Sequence, residues 1–201
     1  MAVTARAADR PGTLADALVV RSLARDAALV LGTALFTAAL AQVEIRLAFT
    51  PVPITGQTLA FLLSGAALGG RRGALSQILY VLMGTVGLPF FAGGAHGLEV
   101  LLGASGGYLV GGVVCAYAVG RLAEHGFDRR ALTALGAMAV GEVCVYGPGL
   151  VNLARFVPAG HLLVDGLIPF IPGDVLKMLI AAGLLPLAWR VVGRRPRPGA
   201  A

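Results

Sequence analysis

Pro169-Phe170-Ile171-Pro172-Gly173-Asp174-Val175-Leu176-Lys177 stands at the head of the last long apolar run, Val175 to Trp189. Pro172 and Gly173 interrupt the chain and Asp174 stands where an N-cap stands, so the pattern predicts a helix starting at Val175. Asp174 and Lys177 are three residues apart and project from one side of its first turn. A cap accounts for the aspartate alone. A cation in the first turn opposes the helix dipole, at a cost of about 0.3–1 kcal/mol. Two roles fit the pair. One is a cap beside a snorkelling lysine. The other is a binding site for a small polar solute at the mouth of a membrane helix.

Working outward, the 201 residues are 57% hydrophobic and only 13% charged, with a mean hydropathy of +0.84. Soluble domains carry about 25% charged residues. This composition predicts an integral membrane protein of one compact domain. The first apolar stretch is long, follows charged residues and lacks a clear cleavage site, so no secretory signal is expected. Glycine is abundant, at 29 residues, and small residues let membrane helices approach closely. Cys115 and Cys144 lie inside apolar runs and show no metal or disulfide spacing.

The pattern predicts an all-α protein with six transmembrane helices, both termini cytoplasmic and structured extracytoplasmic loops. The spans fall at about 26–43, 57–68, 73–88, 108–122, 131–153 and 175–189, inside a membrane domain of residues 26–190. Residues 1–25 form an N-terminal tail with a short interfacial helix near Leu18–Arg25, and residues 191–201 form a basic tail. Pro51 and Pro53 preclude a regular helix over 44–56. Leu98–Leu102 reads as a re-entrant segment or short helix. Ala34 and Ala38 lie four apart on the first span. They present either a small-residue face for docking a partner or ordinary alanine usage in an alanine-rich chain.

The net charge of +6 does not indicate nucleic acid, because the basic residues fall in short separate loops and tails. With cytoplasmic termini, the inner side takes thirteen of the 16 basic residues and the outer side takes Arg46, Arg155 and Lys177. That asymmetry is the positive-inside pattern. It puts the Pro- and Gly-rich loops 44–56, 89–106 and 154–173 outside, where long structured loops carry function.

No GxxxxGK[ST], GxSxG or HExxH occurs, and His96, His125 and His161 are scattered in loops. The chain therefore reads as no enzyme, with no metal, no cofactor and no ATPase of its own. Glu142 is the one carboxylate well inside a span. It marks either a proton relay, as in an ion-coupled secondary carrier, or a pairing group in the bundle. Gln57 and Tyr146 lie in the outward halves of their spans, where they can line the cavity of Asp174. Tyr146 serves equally well as an interface aromatic. The glycines near Gly106-Gly107 offer a backbone nest for an anion.

Pro51-Val-Pro-Ile-Thr-Gly-Gln-Thr58, Gly87-Leu-Pro-Phe-Phe-Ala-Gly-Gly94, Gly103-Ala-Ser-Gly-Gly-Tyr-Leu109 and the stretch 169–177 resemble the four signature segments of the BioY family, over about residues 27–190. These are the biotin-binding S components of energy-coupling factor (ECF) transporters. The resemblance implies high-affinity biotin uptake by a multi-pass protein of the bacterial cytoplasmic membrane. It also implies six helices, an extracytoplasmic pocket, and docking on a membrane-embedded T component with two ATPase subunits. A homo-oligomer stays open. The chain departs from the family in Gly-Ala-Ser at 103–105, where Pro-Thr is usual after the glycine, and in Glu44-Ile-Arg46, where the lead-in is usually apolar and Pro-containing.

For biotin, Asp174 would accept a ureido N–H and Lys177 would donate to the ureido oxygen or to the carboxylate tail. Phe91, in the loop that carries Gly93, would cover the sulfur ring. Gly103 and Ser105 would hold the carboxylate. Unpaired polar groups in a dry pocket make such a site selective.

Overall fold

The computed structural model describes residues 12–18 and 22–192. Leu14–Leu18 (α1) and Leu23–Ala41 (α2) come first, with Ser22 capping α2 through its hydroxyl on the Arg25 N–H at 3.3 Å. A two-residue antiparallel ladder follows, Glu44–Ile45 (β1) against Ile54–Thr55 (β2). Then come Gln57–Leu68 (α3), Gly70–Thr85 (α4), Leu98–Leu102 (α5), Gly106–Glu124 (α6), Ala131–Leu153 (α7), Leu162–Gly166 (α8) and Ile171–Val192 (α9).

The chain is a mostly helical membrane protein. Among the described residues four segments are long and apolar enough to cross a membrane: Leu23–Ala41, Gly106–Glu124, Ala131–Leu153 and Ala159–Val192, the last ending in α9. α3 is a shorter apolar helix. Large apolar side chains cover the outer surface, with Val143 72%, Val151 76% and Leu132 82% exposed, as a lipid-facing surface requires.

α6 is the central helix, packed against α3, α4 and α7. Its contact with α7 depends on glycine. A Cβ at Gly107 would lie 2.3 Å from the Pro148 oxygen, and one at Gly111 would lie 2.6 Å from the Val145 oxygen. Gln77 on α4 donates from Nε2 to Thr37 Oγ1 on α2 (3.2 Å) and to Ser64 Oγ on α3 (2.9 Å), tying three helices together.

Four expectations change. The last helix starts at Ile171, because proline is well tolerated in a first helical turn, where its missing N–H is not needed. Asp174 is therefore inside the helix, its N–H bonded to the Phe170 oxygen at 2.9 Å, and it is no cap. The 44–56 segment carries a short ladder, so the protein is not purely helical. Ala34 and Ala38 are 0% and 6% exposed, packed into this chain's own core, so this face is not free to dock a partner. Finally, residues 1–25 are not simply a tail. Leu14 and Ala15 are buried where α1 meets α3 and α9, and α2 already begins at Leu23. Residues 1–11, 19–21 and 193–201 of the two expected tails lie outside the described residues.

At the α1 end of the bundle, Arg72 bridges Asp16 (2.6 Å) and Asp26 (3.0 Å), and Trp189 Nε1 donates to Asp128 Oδ2 at 2.5 Å.

Candidate ligand-binding site

The other end of the bundle holds a cavity of about 380 Å³. That size falls in the small-molecule range of about 300–1,000 Å³. Three connections roof it: 46–55 after α2, 91–105 between α4 and α6, and Phe170 before α9. Thr50 Oγ1 donates to the Asp165 oxygen at 2.6 Å and ties the first connection to the third. Apolar and aromatic walls come from Val52, Phe61, Phe91, Leu109, Val145 and Phe170. Tyr108, Tyr146 and Phe170 form an aromatic cluster, with Tyr108 edge-on to Tyr146 at 6.2 Å between ring centroids. Phe91, 1% exposed, meets the Tyr80 ring edge-on at 5.7 Å.

Asp174 and Lys177 share the floor. α9 puts them one turn apart, and Lys177 Nζ donates to Asp174 Oδ1 at 2.8 Å. Thr58 Oγ1 donates to the same oxygen at 3.0 Å, and the Tyr146 hydroxyl donates to Oδ2. Nζ also donates to Thr58 Oγ1 (2.8 Å) and to the Thr55 backbone oxygen (2.6 Å). An ammonium has three protons, so Lys177 is fully engaged by the protein. Asp174 keeps unused acceptor capacity, since a carboxylate has about four lone-pair sites. The lysine fixes the carboxylate in place and leaves it acceptor capacity.

The structure brings Asp174, Lys177, Gln57, Tyr146, Phe91 and Ser105 to one cavity. Gln57 is held by Thr55 Oγ1 on its oxygen (2.8 Å) and donates to Tyr80 Oη (2.6 Å). Gly103 and Gly93 do not line the cavity. The Gly103 N–H donates to the Val100 oxygen, and its own oxygen accepts from Asn152 Nδ2 at 2.8 Å, so it leaves no free nest. Gly93 lies in a short 3-10 turn beneath the Glu44 and Arg46 side chains.

Sequence reasoning missed Thr55, Thr58, Tyr108, Phe170 and Arg46. Thr58 follows Gln57 directly and Phe170 lies within the opening stretch, so adjacency was the available signal. Thr55 acts through its backbone oxygen and carries no side-chain signal for that role.

Glu142 lies on the inner face of α7, one turn from Val145 and Tyr146, and is 7% exposed. Among the described residues neither of its carboxyl oxygens has a hydrogen-bond partner. The structure does not place it in a pair.

Fold and site together define a helical membrane protein with a small-molecule pocket at one end of its bundle. The BioY family model matches residues 10–194, and the chain belongs to that family. It is 38% identical over 162 residues to the biotin transporter BioY of Rhizobium etli, covering 75% of this chain and 87% of that protein. It is 43% identical over 132 residues to the probable biotin transporter BioY of Methanothermobacter thermautotrophicus, covering 61% and 84% respectively. Among solved structures it resembles the S-component for biotin from an ECF-type ABC transporter, with a TM-score of 0.75 at 24% identity over 83% of this chain and 92% of that one.

Proposed function

We propose that this chain is the biotin-binding S component of an ECF-type transporter, capturing biotin with high affinity and importing it with a separate ATPase module. The observation that carries this reading is the floor of the cavity. There a fully engaged lysine holds Asp174 as a buried acceptor, under apolar and aromatic walls. Biotin offers a ureido N–H to such an acceptor and an apolar sulfur ring to Phe91. Gln57, Ser105 and Tyr146 complete the polar edge, and Lys177 acts on the ligand through Asp174. The relatives' names support the same substrate.

In this reading the chain crosses the bacterial cytoplasmic membrane six times, with α3 and α4 as the two short spans. Both termini are cytoplasmic, on the basic asymmetry of the loops, and the pocket opens outward. Residues 26–190 belong to the membrane domain. Docking on a T component falls to the outward side of α2, where Leu31, Leu35 and Phe36 are 46%, 44% and 43% exposed.

A second reading, an ion-coupled carrier, draws on the unpaired Glu142. Uptake of labelled biotin in cells depleted of ATP but holding their ion gradients separates the two. The S-component reading expects uptake to stop, and continued uptake supports the carrier.

A further inference from the structure

Among the described residues two cations line the cavity, Lys177 and Arg46. The three protons of Lys177 are taken by Thr55, Thr58 and Asp174. A ligand carboxylate brought to that end would also face the charge of Asp174. The floor suits a neutral donor group, and a negative tail must find its partner elsewhere.

Arg46 supplies one. Its side chain is 69% exposed, against 5% for Asp174, so it stands at the open mouth while the ion pair stands at the floor. The guanidinium is held along one edge only. Nε donates to Glu44 Oε1 at 2.9 Å, and the Glu44 side chain, 17% exposed, is itself enclosed. Both terminal nitrogens of Arg46 lack a hydrogen-bond partner among the described residues. Gly93 makes the seat. A Cβ there would lie 2.4 Å from Glu44 Oε1 and 2.5 Å from Arg46 Nη2, and its φ of +61° suits glycine. The same loop supplies Phe91, Ala92 and Ala95 to the cavity, so the seat and the apolar wall are continuous.

We infer that Arg46 is an anion clamp at the mouth of the cavity, which takes the carboxylate of a ligand bound head-inward and selects acids over their uncharged amides. The free end of a guanidinium matches a carboxylate as a two-pronged fork. Glu44 and Gly93 fix its direction before the ligand arrives, which limits the ordering cost of binding. This inference rests on biotin being the ligand.

The test titrates biotin and its primary amide into the purified protein in detergent, at low salt. The parent is expected to bind the acid about tenfold more tightly than the amide, a difference of about 1.4 kcal/mol. Arg46→Gln is expected to bind both equally, with amide affinity as in the parent. Arg46→Lys, which keeps the charge without the fork, should retain part of the preference. Added salt should erode the parent's preference, because the mouth is exposed. An acid preference that survives in Arg46→Gln overturns the clamp. So does a parent with no preference, or an equal loss of both ligands in Arg46→Gln, which marks a structural role. A parent that binds neither ligand overturns the functional reading and the clamp with it.

Discussion

Asp174→Asn changes one atom and removes one charge from the floor of the site. In the parent, Asp174 accepts from Lys177 at 2.8 Å, from Thr58 at 3.0 Å and from Tyr146. The Asn oxygen can keep the first two contacts, but the Tyr146 hydroxyl then meets an amide donor and must turn to accept. The larger effect falls on Lys177, whose side chain is 15% exposed and which loses the carboxylate it is paired with. Removing one partner of a buried pair costs about 3–5 kcal/mol. Two neutral acceptors, the Thr55 oxygen and Thr58 Oγ1, remain. We therefore place the loss of stability at the lower end, about 3 kcal/mol. Ligand affinity falls separately, because a ureido N–H loses a charged acceptor worth about 1.5–3 kcal/mol. That corresponds to roughly a ten- to hundredfold weaker affinity. The assays are thermal unfolding in detergent and titration with biotin. Lys177→Met added to Asp174→Asn should restore much of the stability, because no uncompensated charge is left, while binding stays weak. An Asp174→Asn protein that unfolds and binds as the parent does would refute the assigned role of the pair.

Glu142→Gln keeps the shape of a buried side chain that has no hydrogen-bond partner among the described residues and removes its ability to ionise, so the unfolding midpoint in detergent should stay level or rise. A fall of several degrees would reveal a partner for the carboxylate. Burial raises the pKa of Asp128, against the opposing hydrogen bond from Trp189. A raised carboxyl pKa means the folded state holds the proton more tightly, so this contribution to stability is present at acid pH and is lost as pH rises through the folded pKa. Asp128→Asn lacks that titration. Its stability relative to the parent should therefore improve from acid to neutral pH, and a difference that does not move with pH would contradict this. On a background lacking Cys115 and Cys144, His96→Cys should react with an impermeant thiol reagent in intact cells and Arg130→Cys should not. The reverse pattern would invert the proposed topology.

Periodicity and turn chemistry placed most of the helices. α3 and α7 match their expected bounds, because a Gly before Gln57 and charged residues before Ala131 leave little choice of start. The start of α9 was misplaced because proline is both a helix breaker and a good first-turn residue, and only packing decides which. The β1–β2 ladder is two residues long and leaves no alternating pattern to read. Small residues at Ala34 and Ala38 announce a close approach, but not the helix that approaches, and here that helix is the chain's own. The Asp174–Lys177 pair was legible from spacing alone, because a helix that starts at Ile171 puts Lys177 in its second turn, beyond the reach of the dipole argument. The role of Lys177 was not, because Thr55 accepts through a backbone oxygen 122 residues away. Arg46 was visible in the sequence as a departure from the family pattern, and it took its place at the cavity only when the loop over Gly93 was laid beside it.

The most direct test of the central claim is calorimetric titration of the purified, detergent-solubilised protein with biotin, alongside Asp174→Asn. Saturable one-to-one binding by the parent, weakened at least tenfold in the variant, is the predicted result. A parent that stays folded by thermal unfolding and shows no binding of biotin would contradict it.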